Sequence, residues 1–538
     1  MALRVPHHNL VEAVVSTRRG YLSVGRSLVT GAVVGLTQRH PGRLDPLGLS
    51  AFTSALDARD PARTNALDDL LAQASMADLQ DLMTSGRLSS EELTLHVLGR
   101  ARDHEAVLNS LIAVNPDALV QAREADARRA SGESLGALDG IPVTVKDNIE
   151  TAGPMPTTGG AEILAGHVAR ADAPVVVALR AAGAVIVGKA NLSELAGAMV
   201  RTPGFSAVGG QTMNPYGGSF SPGGSSSGSA VSVAAGFAVA SVGTETSGSL
   251  VVPAAFNGLV GMKPSRGVVD TRGVIPLVRH QDSPGPIGRS VADVAALMAA
   301  MAAQPLDVGL REGALVGVRV GVLAEDIRGQ KTPVEDTSDN GEMLIRIDAG
   351  LRAAGALPVD AVIVSAGPMA DYDRGFLDVV LGGVSHDTIG YLAEVGAPVA
   401  TLADLHAYNL AQPRRRMPAG QFFLDLALGR AVDRDSYEEA ALRHRGLAEE
   451  ILNATFDAAD TDVLVSLTNL HSALYATAGY PAITVPLGLR ANGMPTGATL
   501  IGRPGADGQL LGYAHAFEQA SRLRIPADLS PRADGQRS

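Results

Sequence analysis

The residues with chemistry to offer crowd into one stretch, Ser221 to Lys263. It is rich in Gly, Ser and Ala and holds two serine-rich loops separated by an apolar segment. Glycine permits positive φ and close backbone approach, so such loops can aim amide N–H groups at one point. Serine adds a hydroxyl that serves as nucleophile or proton carrier once a base takes its proton. The base must come from elsewhere, and Lys146 is the candidate. It closes the apolar run Gly140-Ile141-Pro142-Val143-Thr144-Val145. Burial there disfavours the ammonium, lowers the pKa and leaves an amine able to accept a proton. With Lys146, Ser225 and Ser249 together, one serine attacks and a second bridges it to the lysine. Gly248 and its neighbours then present N–H groups to a developing oxyanion. Taken singly, each residue has a plainer reading: a solvated lysine at a strand end, a turn serine and a helix cap.

Three competing patterns fail on their context. Gly183-Ala184-Val185-Ile186-Val187-Gly188-Lys189 opens like a phosphate loop, but Ala190 follows instead of Ser or Thr and the AVIV segment is strand-like. Gly224-Ser225-Ser226-Ser227-Gly228 fits G-x-S-x-G, yet a nucleophile elbow needs a strand running straight into its serine. Here Asn214-Pro215-Tyr216-Gly217-Gly218 and the residues after it are loop chemistry. The 12 histidines are scattered, and H-x-x-x-H does not occur, so no metal site is expected. The absence of Cys excludes disulfides, thiolate catalysis and Cys-ligated zinc.

The elements that must position these residues read as α/β. Ser75 with Asp78, and Ser89 with Glu92, read as capping boxes of two amphipathic helices. Residues 140–148 suit a buried strand that delivers Lys146 at its C-terminal edge. Asp172 is expected to cap a helix that ends at Gly183, with a strand over 184–187. Further strands are expected at 318–323, 361–364, 462–467, 482–489 and 498–501, with Asn492-Gly493 as a hairpin turn. A helix is expected over 342–353 and a largely helical stretch over 402–456, broken at Arg414-Arg415-Arg416 and Pro418. Strands at both ends with helices between favour one large domain, 61–525, over two. Residues 1–60 read as an N-terminal extension ending in the turn-rich Asp57-Ala58-Arg59-Asp60-Pro61, and 526–538 as a flexible tail. In a chain of 538 residues, 46% hydrophobic content supports a sizeable core. A net charge of −12 and the lack of Trp argue against a nucleic-acid surface. No run of 18 apolar residues is present to span a membrane.

Several segments together resemble the amidase signature family. They are Gly223-Gly224-Ser225-Ser226-Ser227-Gly228-Ser229-Ala230, Gly243-Thr244-Glu245-Thr246-Ser247-Gly248-Ser249 and Gly258-Leu259-Val260-Gly261-Met262-Lys263-Pro264. The upstream Pro142-Val143-Thr144-Val145-Lys146-Asp147-Asn148 resembles that family's base-bearing strand. Gly188-Lys189-Ala190-Asn191-Leu192-Ser193-Glu194 and Ala478-Gly479-Tyr480-Pro481-Ala482 also match, in the family's order, across about 65–525. The resemblance implies the amidase signature fold, a mixed, twisted central β-sheet flanked by helices. It implies a Ser–cis-Ser–Lys triad, with Ser249 as nucleophile, Ser225 as bridging serine after a cis peptide and Lys146 as base. It assigns an oxyanion hole to the backbone N–H groups of Thr246, Ser247, Gly248 and Ser249. No cofactor or metal is implied.

The family's usual Asp and Arg around the nucleophile are replaced here by Glu245 and Val251. The Thr-Glu-Thr piece and Gln281-Asp282-Ser283-Pro284-Gly285-Pro286 are most similar to the peptide-amidase-like branch, although Ser247 stands where that branch usually has Asp. The implied function is hydrolysis of small-molecule or peptide amides through an acyl-enzyme, with release of ammonia or an amine. The alternatives are a non-catalytic binding protein on the same scaffold and a glutaminase-type subunit of an amidotransferase. A homodimer is allowed by the resemblance. Parts of the helical stretch 366–440 are expected to wall the site. Ser16-Thr17-Arg18-Arg19-Gly20-Tyr21-Leu22 resembles a twin-arginine export signal, but Arg26 interrupts the apolar run after it. A cytoplasmic location is therefore expected, with export as the alternative.

Overall fold

The computed structural model describes residues 47–199, 202–323, 338–362, 364, 369–430 and 432–529. The twin-arginine-like residues 16–22 and most of the tail 526–538 lie outside them. Among the described residues, no helix is long and apolar enough to cross a membrane.

The architecture is α/β, built on an 11-stranded mixed sheet flanked by helices. Its first half contains β1 (Leu111–Val114), β2 (Pro142–Lys146), β3 (Val185–Ala190), β6 (Ala240–Glu245), β7 (Val260–Lys263) and β8 (Ser283–Gly288). Its second half contains β9 (Arg319–Leu323), β10 (Leu357–Val362), β11 (Val463–Leu467), β12 (Ala482–Leu489) and β13 (Pro495–Ile501). A separate two-stranded ribbon pairs β4 (Phe205–Ser206) with β5 (Gly210–Gln211). The order in the large sheet is β1-β3-β2-β6-β8-β7-β12-β13-β11-β9-β10. β2 runs parallel to both neighbours, β3 and β6, and β8 returns antiparallel beside β6. β2 and β6 therefore end at the same edge, the carboxyl ends of parallel strands where α/β sheets place their ligands.

Small residues let the helix Ser227–Ala234 lie close on these strands. The Gly228 N–H donates to Asn191 O at 2.9 Å, just past the end of β3. A Cβ at Gly243 would come within 2.8 Å of Ser226 Oγ. Thr144, Ser232 and Ser241 hydroxyls interlock beneath, at 2.9 Å each. Polar groups buried this deeply are tolerated because they satisfy one another.

Several expected elements form as read. Ser75 and Asp78 make a complete capping box for the helix Met76–Thr84. The strand over 482–489 has the expected bounds, and Gly493 takes φ 89° in the turn after it. Others differ. Asp172 does not cap the helix Pro174–Ala181; its carboxylate accepts Ala152 N at 2.7 Å and pairs with Arg180. Ser89 accepts Glu92 N at 3.0 Å, while the Glu92 carboxylate turns to Arg63 at 2.6 Å. The strand expected over 361–364 is β10, starting at Leu357. β8, where the sequence reading places no strand, carries Pro284 and Pro286 and is buried along its length against β6.

Residues 47–60, assigned from sequence to the extension, are part of the packed body. Phe52 and Leu56 are buried in the main core. The Asp60-Pro61 signal is a helix start: Asp60 Oδ1 accepts Ala62 N at 3.1 Å, and Pro61 opens the helix Pro61–Gln73. At the sheet margins, Val114 of β1 donates its N–H to Leu47 O at 3.0 Å, and β10 carries Pro358.

A second apolar cluster joins the helical region after residue 369 to the segments that follow β3 and β7. Leu392, Leu424 and Tyr437 pack there with Leu195, Ile275 and Val278. The three arginines 414–416 do not simply break the helical region. Arg415 and Arg416 both reach Glu162, at 2.8 and 3.2 Å, and Arg416 stacks 3.5 Å above the Tyr408 ring.

Candidate active site

Lys146 is the last residue of β2 and is fully buried. Its Nζ lies 2.7 Å from Ser225 Oγ, 2.8 Å from Thr244 Oγ1 and 3.3 Å from Thr244 O. Burial pulls the amine down to about 7, against the attraction of Asp282 and Glu245. The expected strand-end lysine is thus a desolvated amine held by oxygen atoms.

Ser225 sits in the loop ahead of the helix Ser227–Ala234 and is buried, after a cis Gly224–Ser225 peptide. Its carbonyl accepts Ser193 N at 3.0 Å. The next serine, Ser226, has a different task. Its Oγ donates to Thr244 O at 3.0 Å and accepts Thr244 N at 3.2 Å. Its own N–H donates to Ser249 O at 3.0 Å. Ser226 therefore stitches the loop of Ser225 to β6 and to the loop of Ser249.

The 245–251 turn is organised by Glu245, which is fully buried. Its Oε2 accepts Leu250 N at 2.9 Å and Val251 N at 3.0 Å, and Gly248 N also faces this carboxylate. Burial pushes the Glu245 carboxyl up, opposed by these N–H groups and by Lys263. Gly248 takes φ 88°, and a Cβ there would press on Ser472 Oγ. Thr246 donates its hydroxyl to Asp282 Oδ1 at 2.5 Å. The other Asp282 oxygen accepts Leu277 N and Val278 N at 2.9 and 3.1 Å. Ser247 and Ser249 are partly exposed, whereas Lys146 and Ser225 are not. Lys146 and Ser225 are thus joined and enclosed, while Ser249, tied to their loop through its carbonyl and Ser226 N, is the more accessible of the three residues.

The change at 245 and 251 also acquires a physical account. Where Val251 offers no cation, the buried Lys263 at the end of β7 faces Glu245. Lys263 Nζ donates to Pro264 O at 2.7 Å and Tyr480 O at 2.9 Å. Its place at the end of an apolar run is the same signal that picks out Lys146. In the sequence Asp282 stands merely as a branch marker, and Thr244 as one letter of a motif. Their positions beside Thr246 and Lys146 depend on strand pairing that no local pattern announces.

The family model described as Amidase matches residues 92–336. A probable amidase from Arabidopsis thaliana is 33% identical over 480 residues, spanning 85% of this chain and 91% of that protein. The A-type subunit of glutamyl-tRNA(Gln) amidotransferase from Symbiobacterium thermophilum is 35% identical over 491 residues, spanning 83% of this chain and 97% of that protein. Among solved structures, an amidase family protein from Bacillus anthracis is similar with a TM-score of 0.83 at 33% identity, covering 91% of this chain and 100% of that one. The native peptide amidase from Stenotrophomonas maltophilia gives a TM-score of 0.78 at 37% identity, covering 85% and 99%. With relatives at 33–37% identity matched over nine-tenths or more of their own length, and a solved amidase sharing the fold, the chain belongs to the amidase signature family of hydrolases.

Proposed function

We propose that this chain hydrolyses carboxylic amides through an acyl-enzyme on Ser249. Ser249 Oγ attacks the amide carbonyl while its proton passes to Ser225, and the Ser225 proton passes to Lys146. The backbone N–H groups of Thr246, Ser247 and Ser249 receive the oxyanion, while that of Gly248, which the resemblance also assigns to this role, faces the Glu245 carboxylate and holds the turn. Collapse of the tetrahedral intermediate breaks the C–N bond, and the proton held by Lys146 returns through Ser225 to the leaving ammonia or amine. Water then attacks the ester by the same relay, releasing the acid and restoring Ser249. The observation that carries this reading is the 2.7 Å contact between Lys146 Nζ and Ser225 Oγ in a buried setting. A lysine held near neutrality by burial is a competent base at physiological pH.

Peptide C-terminal amides are the first substrate class to test, given the similarity to a peptide amidase. The test is release of ammonia or amine from a panel running from small aliphatic and aryl amides to peptide amides. Ser249→Ala and Lys146→Ala are each expected to lower turnover by about 10³-fold or more. Undiminished turnover in Ser249→Ala would overturn the reading. The similarity to part of an amidotransferase supports a second reading, a glutaminase that passes ammonia to a partner. Hydrolysis of simple amides by the purified chain, without ATP or partner, separates the two.

A further inference from the structure

The base of a serine hydrolase needs an orienting partner, the part an acid plays for histidine in the Ser-His-Asp arrangement. We infer that Thr244 is the positioning residue for Lys146: its hydroxyl and carbonyl oxygens hold two of the amine's three bonding directions, so that the third is always Ser225. This inference rests on the amidase reading above.

The geometry is complete in both protonation states. An ammonium has three N–H donors. Around Lys146 Nζ stand three oxygens: Ser225 Oγ at 2.7 Å, Thr244 Oγ1 at 2.8 Å and Thr244 O at 3.3 Å. When the proton leaves, two N–H bonds stay on Thr244 and the lone pair points at Ser225 Oγ. The proton therefore moves along one line, with no rotation of the side chain. Such preorganisation spares the reorganisation cost at the moment of reaction.

Thr244 is itself held on three sides. Its backbone is clamped by Ser226, whose Oγ bonds both Thr244 N and Thr244 O. Its hydroxyl accepts Asn148 Nδ2 at 3.1 Å. Asn148 is fixed in turn, with its carbonyl accepting Ile275 N at 2.7 Å. Thr244 belongs to β6 and Asn148 to the turn after β2, so the clamp closes across the pair of parallel strands that form the catalytic edge. The charged groups facing the amine are Asp282, from the loop before β8, and Glu245, from the end of β6. Neither is altered by substitution at Thr244.

The experiment compares Thr244→Val, Thr244→Ser and Thr244→Ala in the full chain. Amide turnover and the rate of labelling by a fluorophosphonate are each measured from pH 5 to 10, with melting curves as a fold check. Valine keeps the shape and loses the acceptor, whereas serine keeps the acceptor and loses the methyl. In Thr244→Val the ammonium loses one hydrogen bond, so the acid limb of both profiles is expected to move down by about one pH unit. The high-pH plateau is expected to fall about tenfold or more, because the amine is free to turn. Thr244→Ser is expected to restore most of both.

The reverse pattern, with valine like wild type and serine impaired, would mark a packing role and overturn the inference. If Thr244→Val does not fold, Thr244→Ser and Thr244→Ala differ by one hydroxyl, and coincident limbs and plateaus in that pair would overturn it equally. An active wild type with a dead Ser249→Ala keeps the amidase reading standing whichever way Thr244 falls. A wild type inert toward amides and fluorophosphonate overturns both.

Discussion

Lys146 is a lysine whose surroundings weaken its hold on a proton. An exposed lysine titrates near 10.4, but this one is drawn to about 7 because no water reaches its ammonium. The sign is direct. Below that value the amine carries a proton and cannot accept one from Ser225; above it the amine is free. The value of kcat/KM for amide hydrolysis is therefore expected to rise with pH through about 7 and then level off, and a pH–rate profile of the wild type measures it. An activity flat from pH 5 to 9 would mean that Lys146 is not the base. Lys146, Ser225 and Ser249 stand out in the sequence because each lies in a short local motif, and the structure brings Lys146 and Ser225 to 2.7 Å. Asp282, Lys263 and Thr244 were not singled out, because each takes its partner from a segment that reaches it through strand pairing.

The strands and helices divide along the same line. β2, β9, β11 and β12 are continuous apolar runs, as buried parallel or central strands must be, and they were legible. β8 was not, since Pro284 and Pro286 argue against a central strand. Its partner β6 holds it in place, pairing Thr244 with Pro284 and Val242 with Pro286. β1 and β6 were hidden for a related reason: short or Gly- and Ser-rich segments become strands when neighbours supply the other half of the ladder. At this scale the close approach of helix Ser227–Ala234 to β3 is the feature most open to damage. A Cβ on residue 228 would collide with Ser110 O and with the backbone of Asn191 at 2.5 Å. Gly228→Ala is expected to cost about 2 kcal/mol of stability. Because the same helix begins two residues after Ser225, amide turnover is expected to fall with it. Thermal melting and the release assay check the two together, and an unchanged melting point would show that the helix can lift away at no cost.

For the whole molecule, we propose a catalytic body that begins no later than residue 47, not at 61. The turn-rich residues before Pro61 resemble a border because the signals that open a helix and those that end a domain are the same residue types. Phe52 and Leu56 reveal the difference through their burial, and Arg59 and Asp57 tie the segment to Asp103 and Arg102 at 3.1 and 2.8 Å. Burying two such side chains stabilises the body by roughly 3–6 kcal/mol. A chain trimmed to start at 61 is expected to melt well below one trimmed to start at 47, as calorimetry on the two would measure; equal melting points would return the border to 60. The helical region after residue 369 is part of the same body, anchored by Tyr391 to Glu150 at 2.8 Å and by Thr388 to Pro276 O at 2.8 Å. Its attachment to the loop that carries Asp282 is consistent with the expectation that this region walls the site.

The contact between Val114 and Leu47 has a consequence beyond packing energy. A sheet that does not close on itself ends in strands whose outer N–H and C=O groups invite another chain to add on. At one margin of this sheet Leu47 already occupies a bonding position on β1, and at the other Pro358 brings no N–H to β10. Both margins are thus poor templates for a further strand. The segment before Pro61 acts as a guard on the sheet as well as a filler of its core, so a cell making the protein without it would face a chain prone to stick to its own copies before it simply unfolds.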